Sequence, residues 1–266
     1  MPKIFYRWIM LFTFISVTYA GGISVDSGLT PPQNRVIFRT QARFMNQTIT
    51  NSGIEMQMRG NPLVLAYGLS PKLALIGRII HMTQLANSMT PAQSGWSDVL
   101  LLGKFKLWRK NTAAQTIGLA GVIGGEIPTG SKGFSSNTYT VIAGLQGSLR
   151  RGSLALELNL ETKLAGLFTE QTEKEGGEWS LNSAIAWIVP VGSSGSIAVT
   201  PVIEFTRVVN WKTEVTGRHF WVSPGMKLTI SSLIIEGLFQ YPVSQSSTGQ
   251  SFKSKPGGLI GIRLMF

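Results

Sequence analysis

The chain has 266 residues, of which 43% are hydrophobic and only 14% charged, and it carries a formal net charge of +11. Soluble domains average about 25% charged residues, and so apolar a chain excludes extended disorder. No stretch after residue 20 approaches the roughly 18 uninterrupted apolar residues of a spanning helix, which excludes a multi-span helical membrane protein. The absence of cysteine excludes a disulfide framework, a thiolate metal site and a cysteine nucleophile.

The first twenty residues have the pattern of a secretory signal peptide. Lys3 and Arg7 give a positive start, residues 8–17 form an apolar core, and the chain then reaches the small residue Ala20. An N-terminal membrane anchor is the alternative, but this apolar core is too short to span a bilayer as a helix. We therefore predict a signal peptide over residues 1–20, followed by a periplasmic lead-in over residues 21–33.

Residues 34–266 consist of short segments in which apolar and polar residues alternate. In residues 153–164 the leucines occupy even positions, while Glu157, Asn159 and Glu161 occupy odd ones. A period of two is typical of a β-strand with one apolar face. About twelve such segments follow one another. Short connections fall at residues 70–72, 111–112, 151–152, 190–195 and 230–232, and longer ones at residues 84–94, 127–137, 168–176, 210–217 and 244–256.

An even number of strands with alternating short turns and long loops is typical of a transmembrane β-barrel. A soluble β-sandwich is the alternative, but the aromatic residues cluster near strand ends, as in the two interfacial girdles of a barrel. The loop-end group is Trp96, Tyr139, Trp179 and Tyr241, and the turn-end group is Tyr67, Phe105 and Trp187. We predict an all-β fold, a closed antiparallel transmembrane β-barrel of about 12 strands.

The end of the chain supports this prediction. Ile260, Ile262, Leu264 and Phe266 share one face, and the chain stops on the aromatic residue. This segment resembles the C-terminal strand of bacterial outer-membrane proteins, which the barrel-assembly machinery recognises. The resemblance implies a location in the bacterial outer membrane, with the assembly machinery, membrane lipid and lipopolysaccharide as partners.

Four motifs between residues 35 and 152 carry a family resemblance. They are LAYGLSPKLAL at residues 65–75, GWSDV at 95–99, GKFKL at 103–107 and GGEIPTG at 124–130. The chain resembles the outer-membrane barrels grouped as the MetA-pathway of phenol degradation or transporter-like family, except that the usual Gly-Asp pair is here Ser97-Asp98. The resemblance implies a channel or transporter for small molecules, including hydrophobic or aromatic ones, without catalytic residues.

The strand phases also predict which charged residues face the lumen. The basic candidates are Arg35, Arg39, Arg43, Arg59, Arg78, Lys104, Lys163, Lys227 and Arg263. The acidic candidates are Glu55, Asp98, Glu126, Glu157, Glu161, Glu204 and Glu236. The first six strands are richer in basic residues and the last six in acidic ones, which predicts a basic wall facing an acidic wall that selects small ions. The alternative is a salt-bridged plug that only satisfies a polar interior.

The alternation changes phase at Gly60-Asn61-Pro62. Because proline cannot donate to a strand ladder, we predict a β-bulge there, with a lateral opening for apolar solutes as the alternative. Basic residues in the loops could pair with lipopolysaccharide phosphates or be ordinary solvated side chains. They are Lys132, Lys174, Lys212, Arg218, Lys253 and Lys255. Scattered basic residues without a nucleic-acid fold motif argue against nucleic acid as a partner.

A membrane hydrolase of this barrel type would need a histidine and a serine two residues apart on the outer face. The chain has only two histidines: His81 precedes Thr83 by two residues, and His219 lies four residues before Ser223, too far along a strand for proton transfer. We therefore predict that the protein is not an enzyme and has no metal site or cofactor. The predicted function is passive or facilitated diffusion of small molecules; the alternative is a closed barrel acting structurally or through its external loops.

Overall fold

The computed structural model describes residues 22–49, 53–88, 90–166, 176–192, 196–212, 215–247 and 252–266. The predicted signal peptide lies outside these residues and stays a prediction. No helix among the described residues is long and apolar enough to cross a membrane.

Fourteen strand segments account for most of the described chain. They are β1 (Val36–Ile49), β2 (Glu55–Ser70), β3 (Leu73–Gln84), β4 (Gln93–Trp96), β5 (Val99–Asn111), β6 (Gln115–Ile127), β7 (Thr140–Arg151), β8 (Leu154–Ala165), β9 (Gly176–Trp187), β10 (Val189–Val191), β11 (Ile197–Lys212), β12 (Val215–Ile230), β13 (Leu233–Ser247) and β14 (Phe252–Met265).

These segments form twelve barrel strands. Both β4 and β5 pair with β3, and they are one strand interrupted at Ser97 and Asp98. Likewise β9 and β10 both pair with β11 and are one strand interrupted at Ile188. Successive strands are antiparallel neighbours, and β14 pairs with β1 to close the sheet. The predicted closed antiparallel barrel of about 12 strands is confirmed.

The outer face of the barrel is apolar, as a lipid-facing surface requires. Ile260, Ile262 and Phe266 are all exposed on it, in agreement with the predicted face of the last strand. The aromatic residues expected at the strand ends are exposed there too. They are Trp96, Tyr139 and Tyr241 at the loop end, and Tyr67, Phe105 and Trp187 at the turn end.

Several details of the chain differ from the sequence predictions. The loops expected at residues 210–217 and 244–256 are shorter, because β11, β12, β13 and β14 extend into them. The predicted bulge at residues 60–62 is wrong: Thr40 pairs with Leu63 and Arg43 with Gly60 in one unbroken register. The phase changed in the sequence because the apolar Met56 and Met58 stand at positions whose side chains point inward.

The largest difference concerns the residues before β1. Residues 22–34, which we call the plug, begin inside the barrel, where most of residues 22–31 are buried or half-buried, and reach its exposed turn end at residues 32–34. The lead-in predicted over residues 21–33 is therefore not a wholly periplasmic segment. Ile23 is 0% exposed and Val25 is 3% exposed. They pack in one apolar cluster with inward-facing side chains of β8, β9, β11, β13 and β14. These are Ala155, Ala184, Ala186, Val202, Leu238 and Leu259, together with Ile188 between β9 and β10.

The closing pair of strands is held by a buried charge cluster as well as by its ladder. Glu236 of β13 accepts a hydrogen bond from Arg39 of β1 at 2.8 Å and one from Arg263 of β14 at 3.1 Å. Gln41 of β1 donates a third at 2.6 Å. The Glu236 side chain is fully buried, so its charge depends on these donors. The cluster therefore ties three consecutive strands together across the seam.

Replacing Glu236 by glutamine should destabilise the barrel by about 3–5 kcal/mol, because two buried guanidinium groups lose their counter-charge. Urea unfolding in lipid vesicles, followed by tryptophan fluorescence, measures this. The matched control is Glu55→Gln, which removes an exposed ion pair with Lys255 and should cost less than about 1 kcal/mol. Equal unfolding midpoints for the two variants would contradict the role given to Glu236.

Candidate functional site

The plug is anchored at one end by Glu204, an inward-facing carboxylate of β11 that is 0% exposed. Both Glu204 oxygens accept hydrogen bonds from the Ser24 backbone N–H, at 3.0 and 3.2 Å. The Ile23 N–H and the Ser24 hydroxyl donate to the same carboxylate. A buried carboxylate needs donors, and here the plug supplies them.

The middle of the plug is held further round the wall, at β8 and β7, which lie two and three strands from β11. The Gly28 N–H donates to the Ser148 hydroxyl at 2.5 Å, and that hydroxyl donates to Glu157. The Ser27 and Ser148 hydroxyl oxygens are 3.0 Å apart. Lys104 of β5 donates to the Ser27 carbonyl oxygen. The plug therefore runs inside the barrel from β11 past β8 to β7, and Lys104 reaches it from β5.

The plug leaves the lumen beside Gly68, near the turn end of β2. The Asn34 N–H donates to the Gly68 carbonyl at 2.8 Å, and the Gly68 N–H donates to the Arg35 carbonyl at 3.0 Å. A Cβ at residue 68 would lie 2.7 Å from the Pro32 carbonyl carbon, so only glycine admits the plug this closely. Gly68 therefore has a structural task, which is to seat the plug.

Most of the charged residues predicted for the lumen do face it. Arg78 of β3 and Glu126 of β6 pair at 2.9 Å over the intervening β5, and Lys163 lies 3.4 Å from Glu178. Lys227 stands opposite Glu236 in the β12–β13 register. The inward-facing candidates are Arg39, Arg43, Arg78, Lys104, Lys163, Lys227, Arg263, Glu126, Glu157, Glu161, Glu204 and Glu236.

Four candidates lie elsewhere. Arg59 is on the outer face, where its guanidinium carbon lies 5.9 Å from the centre of the Phe44 ring. Glu55 is also outside, paired with Lys255. Both were misplaced because the expected bulge does not exist and the odd positions of β2 face outward throughout. Arg35 is exposed at the turn-end rim rather than in the lumen.

The fourth is Asp98, which holds a loop rather than facing the pore. Its carboxylate accepts hydrogen bonds from the Gly130 N–H at 2.9 Å, the Ser136 N–H at 2.8 Å and the Ser136 hydroxyl at 2.7 Å. A Cβ at residue 130 would lie 2.8 Å from the Trp96 carbonyl oxygen, so this contact also requires glycine. The segments at residues 95–99 and 124–130 are therefore bonded to each other.

A cavity of about 190 Å³ remains between the plug and the wall formed by β1, β2, β3 and β5. Among the described residues, six cationic side chains line it: Arg39, Arg43, Arg78, Lys104, Lys163 and Arg263. Two carboxylates, Asp26 of the plug and Glu161 of β8, also reach it. The sequence predicted facing basic and acidic walls. In the structure the plug occupies Glu204 and Glu157 of the acidic wall, and the basic wall borders the open space.

The two histidines make ring contacts. His81 packs edge-on to Trp96 with ring centres 5.0 Å apart, and His219 stacks on Trp221 at 5.2 Å. Within the described residues, no three His, Asp or Glu side chains come together as a metal site.

The plug is the functional element that the sequence analysis missed. A segment without regular structure has no period to detect, so the sequence pattern predicted a periplasmic lead-in over residues 21–33. One signal was available on the strands: Ala184, Ala186 and Val202 are small or apolar at positions whose side chains point inward. A water-filled lumen is lined by polar side chains, so such positions indicate that something packs against them.

No protein-family model matches the chain, and no curated protein matches its sequence. Solved structures do match its fold. An outer membrane channel from Pseudomonas putida F1 aligns with a TM-score of 0.63 at 14% identity, over 91% of this chain and 100% of the channel. The β domain of the Bordetella autotransporter BrkA aligns at 0.54 with 10% identity, over 88% of this chain and 100% of that domain. The fold is that of bacterial outer-membrane barrels.

Replacing Asp98 by alanine should free the loop over residues 128–139, because three hydrogen bonds from Gly130 and Ser136 lose their acceptor. Exchange of the Gly130 and Ser136 amide protons should accelerate about tenfold or more. Hydrogen–deuterium exchange of the protein in micelles measures this. Lys132→Ala changes an exposed residue of the same loop and should leave exchange unchanged. Equal exchange in both variants would show that Asp98 does not hold the loop.

Proposed function

We propose that the chain is an outer-membrane channel for passive or facilitated diffusion of small molecules, hydrophobic or aromatic ones among them. The cavity beside the plug carries this proposal. A barrel with only a structural role gains from a filled interior, whereas this one keeps a cationic space next to a segment that is not part of the wall. Charged side chains around a narrow space are how pores discriminate between solutes.

The resemblance to the MetA-pathway or transporter-like family is part of the same proposal. Each of its four motifs contains a residue that contacts the plug or takes part in the hydrogen bonds between Asp98 and the loop over residues 128–139. Gly68 seats the plug, Lys104 binds it, and Asp98 holds the loop that contains Gly130. Motifs with these tasks fit a shared channel architecture better than a shared reaction, and we propose no enzymatic activity.

We further propose lipopolysaccharide as a partner at the loop end of the outer face. Arg59 lies over Phe44, and Arg207 lies over Trp179 at 5.5 Å from the ring centre. Both arginines are exposed near the loop ends of their strands. A guanidinium held against a ring keeps its donors available for a phosphate at the headgroup level.

The channel proposal is tested by single-channel conductance in a planar bilayer. The protein should give small, discrete current steps, and a variant lacking residues 22–29 should give steps several-fold larger, because the plug obstructs the lumen. A barrel of proven fold that passes no current in either form would contradict the channel.

A disulfide variant answers the objection that the deletion disturbs folding. Ser27→Cys with Ser148→Cys places two sulfur atoms where hydroxyl oxygens lie 3.0 Å apart, in a chain without other cysteines. The oxidised variant keeps the plug in place and should show only the small steps of the native protein. Large steps from the oxidised variant would show that the plug does not limit the current.

A further inference from the structure

The cavity beside the plug is lined by two chemically different groups of side chains, which we call its apolar side and its cationic side. Val64 of β2, Ile80 of β3 and Leu100 of β5 belong to the apolar side, and Arg43 of β1 and Arg78 of β3 to the cationic side. The two groups interleave on the wall, since Arg78 pairs with Val64 and with Leu100 in the strand registers. Neither a simple inorganic anion nor an apolar molecule uses both surfaces. The lining fits a ligand that carries an anionic group and an apolar body together.

On the cationic side, Arg43 has N–H donors that bind no acceptor among the described residues. Arg39 and Arg263 are committed to Glu236, and Arg78 to Glu126. Arg43 donates only its Nε–H, to the Gln41 side-chain oxygen at 2.9 Å, and no carboxylate of the described residues lies within ion-pair distance of it. Its terminal nitrogens are therefore left for a ligand.

A second donor group nearby is also unsatisfied. The Arg39 Nη2 atom is buried and has no hydrogen-bond partner among the described residues. A buried guanidinium nitrogen without an acceptor is costly, so negative charge bound in the neighbouring cavity is favoured. Asp26, which the plug brings into the same cavity, is the acid with which such a ligand would compete.

The size of the cavity limits the ligand. Its volume is about 190 Å³. An apolar protein cavity of about 150 Å³ holds one benzene molecule, so this space takes a single ring with one small substituent or a short chain of similar bulk.

We propose that this cavity binds small organic monoanions with an apolar body, namely single-ring or short-chain carboxylates. The carboxylate lies against Arg43 and Arg39, and the apolar body lies against Val64, Ile80 and Leu100. The inference rests on the proposed channel function, for which it names the class of solute.

Binding is measured without any current, by isothermal titration calorimetry of the purified protein in detergent micelles. The probes are benzoate, benzyl alcohol, which has the ring without the charge, and acetate, which has the charge without the ring. Benzoate should bind at least about tenfold more tightly than either, because only benzoate uses both sides of the cavity. Equal affinity for benzoate and benzyl alcohol, or for benzoate and acetate, would overturn the proposal.

Substitutions identify the site. Arg43→Gln should weaken benzoate binding about tenfold or more, while Arg59→Gln, which removes the same charge from the outer face, should leave it unchanged. Asp26→Asn removes the competing acid and should strengthen binding. Val64→Thr keeps the shape of the apolar side but makes it polar, so it should weaken benzoate without affecting acetate. Equal effects of the two arginine variants would place benzoate elsewhere and overturn the site.

Benzoate binding and ion conduction are separate measurements, so they test the anion site and the channel independently. Specific benzoate binding by a barrel that never conducts would support the anion site and overturn the channel. Discrete current steps from a barrel that binds none of the three probes would support the channel and overturn the anion site.

Discussion

The hydrogen bonds between Glu204 and the plug fix where the plug lies, and its position determines which side chains border the cavity. A carboxylate that is fully buried in the barrel must be given donors, and the backbone of residues 23 and 24 provides them. With one end of the plug fixed there, its middle falls within reach of Ser148 and Lys104. Glu204 and Glu157 of the acidic wall thereby accept hydrogen bonds from a chain segment, whereas Glu236 accepts them from Arg39 and Arg263. The arginines of the other wall border the cavity, so positive charge is concentrated on that side of the lumen.

The width of the barrel makes this arrangement possible. Eight strands leave room for little more than side chains, whereas sixteen or more enclose a water-filled channel. Twelve strands lie between these cases, and the lumen holds one segment of chain with a small space beside it. Small side chains such as Ala184 and Ala186 allow Ile23 to pack against the wall. Contacts of Gly68 and Lys104 with the plug, and the hydrogen bond between Asp98 and Gly130, account for four motifs that otherwise look like generic strand sequence.

Alternation along the strands was enough to predict the barrel, its strand number and the inward direction of Arg39, Glu157 and Glu204. It failed where the inference depended on an assumed irregularity: the bulge expected at Pro62 reversed the predicted direction of Arg59. It was silent on the plug, because irregular backbone has no period and its partners are more than a hundred residues away in the chain. Which charges pair also lay beyond the sequence, since Glu236 meets Arg39 only through the closure of the sheet.

The position of the plug at the start of the chain has a consequence for the order of assembly. Residues 22–34 precede every strand, yet their binding partners lie on β5, β7, β8 and β11. The strand that follows the plug, β1, finds its second neighbour only when β14 arrives. Residues 22–34 therefore lack their binding partners until most of the later strands have formed. Contacts so distant in sequence form slowly, which makes insertion of the plug a late event in the maturation of the barrel.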